Sequence, residues 1–136
     1  EIVMPKFGRR SKEQRATLHP KLQQIVDKAI EHVDFTVLEG VRTPERQQEL
    51  FDTGKTTTLN SKHLPDEDGL SRAVDLIAYP INWDNWQRNY LFAGYIRGVA
   101  NSLGIKIRLG ADWDGDLTTD DQSFHDLPHF ELSEGE

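Results

Sequence analysis

The sequence predicts an α+β domain in which a small, mostly antiparallel sheet packs against helices. Two observations support this class. Segments with helical and strand-like apolar spacing alternate along the chain, and the connections between them are long and polar. A length of 136 residues fits one domain. We therefore treat residues 1–136 as a single domain, in which residues 1–10 form a loose lead.

The first part of the chain is predicted to contain two helices and a strand. Ser11–Gln14 has the S-x-x-Q form of a capping box, so a short helix is expected to begin there. A second helix is expected to end near Asp34, because six apolar residues before it recur at helical spacing. These residues are Leu22, Ile25, Val26, Ala29, Ile30 and Val33. Phe35–Leu38 is then typical of a strand.

The middle of the chain is predicted to form a helix, a loop and a buried strand. Thr43 as N-cap and Pro44 at the first helical position predict a helix that ends at Gly54. Residues 55–71 are polar and contain a proline and a glycine, which is typical of a loop. The apolar run Ala73–Tyr79 is followed by proline and predicts a buried strand.

The last part of the chain is predicted to contain one helix and two strands. Asp84 is expected to cap a long helix that runs to Leu103 and is closed by the following glycine. Ile105–Leu109 alternates as a strand does. Residues 110–127 form an acidic loop in this interpretation, and His129–Leu132 is the last strand.

The composition excludes several classes of protein. The formal net charge of −7 predicts no nucleic-acid partner, because phosphate recognition needs a basic face. Without cysteine, any zinc site must use His, Asp or Glu ligands. No run approaches the roughly 20 apolar residues that span a bilayer, so we expect no membrane insertion. The first residues lack the apolar core of a signal peptide, which predicts synthesis in a cytoplasm.

A metal site is indicated by Asp75, a lone carboxylate in an apolar strand. A buried carboxylate is costly unless it is paired or binds a metal. Strand alternation lets Asp75 and His129 point to one place, and His63 can join them from the loop. Three protein ligands with one open position is the arrangement of catalytic zinc. The alternative is a buried salt bridge from Asp75 to Arg72 or Arg42.

Two further residues are candidates for catalysis. Asp126 precedes His129 by three residues and is predicted to act as the base that takes a proton from the attacking water. Alternatively, Asp126 is a turn residue or a partner of a ligand histidine, a position that Glu131 can also take. Arg42 follows a strand and is predicted to hold a substrate carboxylate, or else to form a structural ion pair.

Several motifs resemble the zinc D-alanyl-D-alanine peptidase superfamily, in the order of that family. They are Gly40-Val41-Arg42-Thr43, Ser61-Lys62-His63, Ala73-Val74-Asp75-Leu76 and Asp126-Leu127-Pro128-His129. The stretch Leu103–Trp113 is similar to phage endolysins that act as L-alanyl-D-glutamate peptidases. The resemblance implies the hedgehog and D-alanyl-D-alanine peptidase type of fold with a zinc site on the sheet. It also implies zinc ligands His63, Asp75 and His129, a base at Asp126, and Arg42 near the substrate.

Two features depart from the family pattern. Residues 64–68 look like an insertion between His63 and Asp75, and Ser71 stands where the family has glycine. Of the remaining polar residues, Ser61 and His125 are candidates for substrate contact, and plain surface positions are the alternative for His125.

The acidic loop contains a second candidate metal site. Asp112, Asp114, Asp116 and Thr118 occupy positions 1, 3, 5 and 7 of a calcium-loop pattern. However, Leu117 takes the position where that pattern has glycine, and no glutamate follows at position 12. Regulatory calcium binding and a solvated acidic loop therefore both stay open.

The leading hypothesis is a zinc endopeptidase that cleaves the L-alanyl-D-glutamate bond of peptidoglycan during phage lysis of the host. We expect a monomer without a separate wall-binding domain, which acts on the cell wall in the periplasm after release by a separate pore-forming protein. The alternatives are a D-alanyl-D-alanine carboxypeptidase or dipeptidase and a non-catalytic metal-dependent binding module for the wall or a protein.

Overall fold

The structure is a computed structural model that describes residues 5–118 and 126–136. The helices are α1 (Arg9–Arg15), α2 (Pro20–Ala29), α3 (Pro44–Asp52) and α4 (Trp86–Ser102). The strands are β1 (Phe35–Glu39), β2 (Ala73–Ala78), β3 (Ile107–Gly110) and β4 (Asp126–Leu132). No helix in these two ranges is long and apolar enough to cross a membrane.

The four strands form one antiparallel sheet in the order β1-β2-β4-β3, which confirms the predicted α+β class. The central pair joins two strands that are far apart in sequence. In this pair Asp75 lies opposite His129, and Ala73 lies opposite Glu131. Because side chains alternate along a strand, these four residues share one face of the sheet.

The other face of the sheet carries the hydrophobic core. Val74, Leu76, Phe130 and Leu132 are at most 1% exposed and pack beneath α2 and α4. The ring of Phe92 on α4 meets the ring of Phe130 edge to face, with centroids 6.4 Å apart. The sheet therefore has an apolar face that holds the helices and a second face that is free to carry polar chemistry.

The first helix differs from its prediction, because Ser11 is not its cap. The helix begins at Arg9 after Gly8, whose position has no side-chain cap. Ser11 is buried inside the helix, and its hydroxyl oxygen accepts a hydrogen bond from the backbone N–H of Val37 at 3.0 Å. The hydroxyl thus joins α1 to β1, a tertiary role that has the same sequence signature as a cap.

The second helix ends at Ala29, five residues before the predicted end at Asp34. Residues 30–33 continue as turns with backbone bonds such as Glu31 N–H to the carbonyl of Lys28. Ile30 and Val33 still pack on the core. Apolar spacing therefore outlasts the regular helix, because burial continues where the helical hydrogen bonds have tightened.

The remaining elements confirm the predicted types with shifted ends. Thr43 caps α3 by accepting from the N–H of Arg46 at 3.1 Å, as expected. Asn85 caps α4 in place of Asp84, and β3 starts at Ile107 in place of Ile105.

Among these remaining elements the largest shift is in β4, which begins at Asp126 and not at His129. Asp126 pairs with Gly110 while Phe130 pairs with Leu109, so residues 127–129 form an irregular stretch. Pro128 lies in this stretch, where a strand tolerates a residue without an N–H.

Candidate metal centre

The three predicted ligands meet on the polar face of the sheet. Candidate ligand atoms of His63, Asp75 and His129 all lie within 4.8 Å of one another. Oδ1 of Asp75 is 3.1 Å from Nε2 of His63 and 3.4 Å from Nδ1 of His129. Both histidines are buried, at 2% and 8% exposure. One carboxylate and two imidazoles thus converge on a single point, as a zinc ion requires.

The outward nitrogen of each histidine has its own partner. Nδ1 of His63 is 2.8 Å from the carbonyl oxygen of Gly40, and Nε2 of His129 is 2.8 Å from Oε1 of Glu131. Such partners hold the proton on the outer nitrogen and leave the inner lone pair for a metal. The ligand atoms therefore fit zinc in their type and orientation, and a hydrogen bond to each outer nitrogen holds the two histidines in place.

The loop that carries His63 is fixed by backbone contacts and close packing. The N–H of His63 donates to Oγ of Ser61 at 3.1 Å, and its carbonyl accepts from the N–H of Arg42 at 2.7 Å. Gly40 is required because a Cβ there would lie 2.1 Å from Oγ1 of Thr17. The glycine lets β1 approach α1 and bring its carbonyl to His63.

Burial and hydrogen bonds within the cluster shift the pKa values of Asp75 and His129. Burial alone would raise the pKa of Asp75, but hydrogen bonds from His129 and His63 outweigh it and hold that pKa well below its usual range. Burial lowers and hydrogen bonds to Asp75 and Glu131 raise the pKa of His129, with a net rise to about 9. The opposite shifts of Asp75 and His129 thus have one cause, the hydrogen bond and charge attraction between these two side chains.

Asp126 lies beside the cluster without belonging to the ligand group. Burial and the neighbouring charge of Asp75 raise the pKa of its carboxyl, while the two histidines act in the opposite direction. Its position depends on Gly110, where a Cβ would lie 2.0 Å from the carbonyl oxygen of Asp126. The close pairing of β3 and β4 therefore sets the distance of this carboxyl from the ligands.

Arg42 is held by two neighbours close to the cluster. Its guanidinium donates to Oε1 of Glu39 through two nitrogens and to Oε1 of Gln47 at 2.9 Å. Gln47 is buried and also donates to the carbonyl of Thr58 at 2.8 Å. Among the described residues, Asp75 pairs with the two histidines. It has no contact there with Arg42 or Arg72.

Glu131 connects the cluster to a cationic neighbourhood on the β3 side. Besides His129, it approaches Nζ of Lys62 at 3.4 Å and a guanidinium nitrogen of Arg108 at 3.5 Å. The sequence did not single out Arg108 as a site residue. The sequence signal for Arg108 was the alternation of residues in β3. The face of the sheet on which Arg108 lies, however, depends on its pairing with Glu131.

The acidic loop forms a separate cluster of Asp112, Asp114 and Asp116, whose candidate oxygens also lie within 4.8 Å of one another. Asp112 is 5% exposed, and its Oδ1 has no hydrogen-bond partner among the described residues. Partial desolvation and hydrogen bonding with Asp116 raise the pKa of Asp114 to about 6. Thr118 donates its hydroxyl to Oδ1 of Asp116 at 2.8 Å.

The backbone of this loop fits the calcium-loop pattern better than its side chains do. Leu117 has φ of +66°, a conformation that L-residues rarely adopt. It stands where the calcium-loop pattern has glycine, and its N–H donates to Oδ2 of Asp112 at 2.9 Å. His125, predicted to contact substrate, lies outside the described residues.

Comparisons with known proteins agree with this geometry. The family described as phage L-alanyl-D-glutamate peptidase matches residues 3–133. The L-alanyl-D-glutamate peptidase of Escherichia phage T5 is 31% identical over 116 residues, which cover 79% of this chain and 81% of the relative. The crystal structure of the Serratia marcescens L-Ala D-Glu endopeptidase ChiX matches with a TM-score of 0.75 and 31% identity. That match covers 96% of this chain and 91% of the other.

Proposed function

The chain belongs to the phage L-alanyl-D-glutamate peptidase family, and from that premise we propose that it is a zinc enzyme. It is a hydrolase of the endolysin type, an endopeptidase for the L-alanyl-D-glutamate bond of peptidoglycan stem peptides. The ligands that we propose for zinc are His63, Asp75 and His129. The convergence of their ligand atoms within 4.8 Å on one face of the sheet carries this proposal.

A zinc ion held there supplies a Lewis acid that polarises the scissile carbonyl and activates water. The chain's own residues would hold the ion in a fixed position, because the hydrogen bonds to Gly40 and Glu131 orient both imidazoles. The buried carboxylate of Asp75 adds the negative charge that balances a dication.

For Asp126 we propose the role of general base and then general acid. Its raised pKa suits a carboxyl that takes a proton from water and returns it to the leaving amine of D-glutamate. For Arg42 we propose stabilisation of negative charge on the substrate, since its held guanidinium acts electrostatically on Asp126. Ser61 and His125 stay predicted substrate contacts.

Calcium is the second proposed cofactor, with Asp112, Asp114, Asp116 and Thr118 as its ligands. Two observations support it: the buried Oδ1 of Asp112 has no hydrogen-bond partner within residues 5–118 and 126–136, and Leu117 has a left-handed backbone. The ring of Trp113 lies 5.4 Å from that of His129, so ordering of the loop would reach the metal centre. Calorimetry without calcium heat, together with unchanged activity in a calcium-specific chelator, would contradict this proposal.

Peptidoglycan is the partner that the family membership implies. We further propose that residues 1–136 act as one catalytic unit, as a monomer, on the periplasmic side of the wall after release by a separate pore-forming protein. Expression of the chain in a bacterium with and without such a pore tests this. Lysis without the pore would contradict it.

Mass spectrometry of purified murein, digested by the zinc-loaded protein beside an Asp126→Ala control, tests the proposed chemistry. New peptides with N-terminal D-glutamate, absent from the control, are expected. Loss of a single D-alanine would instead support the carboxypeptidase alternative. Absence of any product from both proteins would favour the non-catalytic binding module.

A further inference from the structure

We propose that Arg108 is the specificity-determining residue that receives the free carboxylate of D-glutamate next to the scissile bond. This inference rests on the proposed function and assigns a substrate contact within it. Glutamate has two carboxyl groups, and continuation of the peptide uses one of them. The leaving side of the bond therefore carries a free carboxylate only a few bonds from the scissile nitrogen.

Arg108 lies one side chain away from the proposed ligand His129. Glu131 contacts His129 with Oε1 at 2.8 Å and approaches Arg108 with Oε2 at 3.5 Å. Arg108 and Glu131 are opposite each other across β3 and β4, so both belong to the face of the sheet that carries the metal centre. The guanidinium therefore lies on the same face as the metal centre, separated from His129 by the side chain of Glu131.

The guanidinium is pre-oriented and accessible. Its central carbon lies 5.3 Å from the ring centroid of Trp113, and this ring also contacts His129. The side chain of Arg108 is 50% exposed, whereas that of Arg42 is 12% exposed and is held by Glu39 and Gln47. A stacked, half-exposed arginine retains donors for a bidentate contact with a carboxylate.

The charges around Arg108 leave it available to an anion. Glu131 approaches it at 3.5 Å, but Glu131 is also paired with Lys62 at 3.4 Å and bonded to His129. The neighbouring acid therefore already has other cationic partners. Among the described residues, the ion pair of Arg108 is the one with Glu131 at 3.5 Å, so the guanidinium keeps further N–H groups for the carboxylate of the substrate.

Arg108 and Trp113 line a cavity of about 430 Å³ whose other walls also carry charged side chains. Arg97 and Lys106 also line it, together with Asp112 and Asp114. Arg97 is bonded to Asp112 at 2.9 Å, so these two charges are matched. The cavity offers space for the part of the stem peptide that follows D-glutamate.

Two synthetic stem peptides provide the test, one with the free D-glutamate carboxyl and one with that group converted to a carboxamide. For the wild type we expect kcat/KM to favour the carboxylate peptide. For Arg108→Gln we expect a loss of about 10- to 100-fold on the carboxylate peptide and less than about threefold on the carboxamide. Arg108→Lys should fall between, because it keeps the charge but loses the planar fork.

Two controls separate this contact from other effects. Arg9→Gln removes a charge whose side chain is 92% exposed and on α1, so it reports general attraction of an anionic substrate. Zinc content of Arg108→Gln should stay near one equivalent, which excludes damage through Glu131. Equal losses on both peptides would overturn the inference. If wild type cleaves neither peptide, the proposed function fails instead.

Discussion

The metal centre on the sheet and the acidic loop at residues 112–118 each bring three ionisable side chains within 4.8 Å, but they are built differently. In the metal centre, Asp75 and His129 are a cross-strand pair, and each histidine has an outer partner. In the acidic loop only Asp112 is buried, while Asp114 and Asp116 are exposed.

The difference lies in how each site balances its charges without an ion. The metal centre combines a carboxylate with two imidazoles. One imidazole can carry a proton, and its positive charge then balances the carboxylate, so the cluster stays together in the folded sheet. The acidic loop combines like charges, and desolvation, hydrogen bonding with Asp116 and the charge of Asp116 together raise the pKa of Asp114. The first site is therefore preorganised, whereas the proposed calcium site would gain its order from the cation.

The largest effect is expected from Asp75→Ala, which removes the carboxylate ligand from the preorganised site. Zinc content should fall well below one equivalent, and activity should fall by more than about 100-fold, since metal catalysis contributes several kcal/mol. Metal analysis and murein turnover measure both. The matched variant Asp114→Ala should keep its zinc, and zinc loss from both variants would erase the distinction between the sites.

The next effect concerns the outer support of His129. Glu131→Gln should weaken zinc binding by about 10- to 100-fold, because the carboxylate that orients the imidazole is lost. Competition with a chromogenic chelator gives the affinity. Glu134→Gln is the control, because Glu134 is 95% exposed and, like Glu131, forms an ion pair with Lys62, here at 3.5 Å. Equal affinities of the two variants would show that Glu131 has no orienting role.

A smaller effect is expected in the release of a proton when zinc binds. In the metal-free protein the pKa of His129 is about 9, so at pH 7 the imidazole carries a proton that zinc must displace. Zinc binding should release about one proton at pH 7, and its affinity should rise with pH until about 9 and then level. Calorimetry in buffers of different ionisation enthalpy measures this. Zinc affinity that is independent of pH between 6 and 8 would refute it.

The smallest effect is expected in the acidic loop, from Leu117→Gly. Glycine adopts positive φ without strain, so the free energy of unfolding should increase by about 1 kcal/mol, and calcium should bind more tightly. Chemical denaturation with and without calcium measures both quantities. Leu59→Gly, at an exposed loop position without positive φ, should not stabilise. The same gain in both variants would remove the argument from backbone strain.

The sequence predicted that His63, Asp75 and His129 meet in one cluster, but it predicted their surroundings less well. Asp75 and His129 could be assigned to one face because strand alternation is local, and local patterns are readable without knowing the partner strand. Glu131 was only one of several alternatives for orienting a histidine, and Arg108 was missed. Their meeting depends on the register between β3 and β4, which no single segment specifies.

Two errors had the same physical origin, the override of local signals by tertiary contacts. The Ser11 hydroxyl was interpreted as a helix cap but bonds to β1, a contact between residues 26 positions apart. Asp126 was expected in a loop but begins β4, because Gly110 allows the backbones to approach closely. Sequence patterns identify which groups can bond, whereas the fold decides where the bonds go.

The position of β4 has a consequence for the synthesis of the enzyme. Among the described strands β4 comes after the other three in sequence, yet it lies between β2 and β3 in the sheet. During translation, His63 and Asp75 emerge well before His129, and β3 has no strand to pair with until β4 follows. A chain that ends before β4 therefore has neither the third proposed ligand nor the complete four-stranded sheet. A cell that makes this hydrolase is exposed to its activity only after the final strand has been translated and inserted.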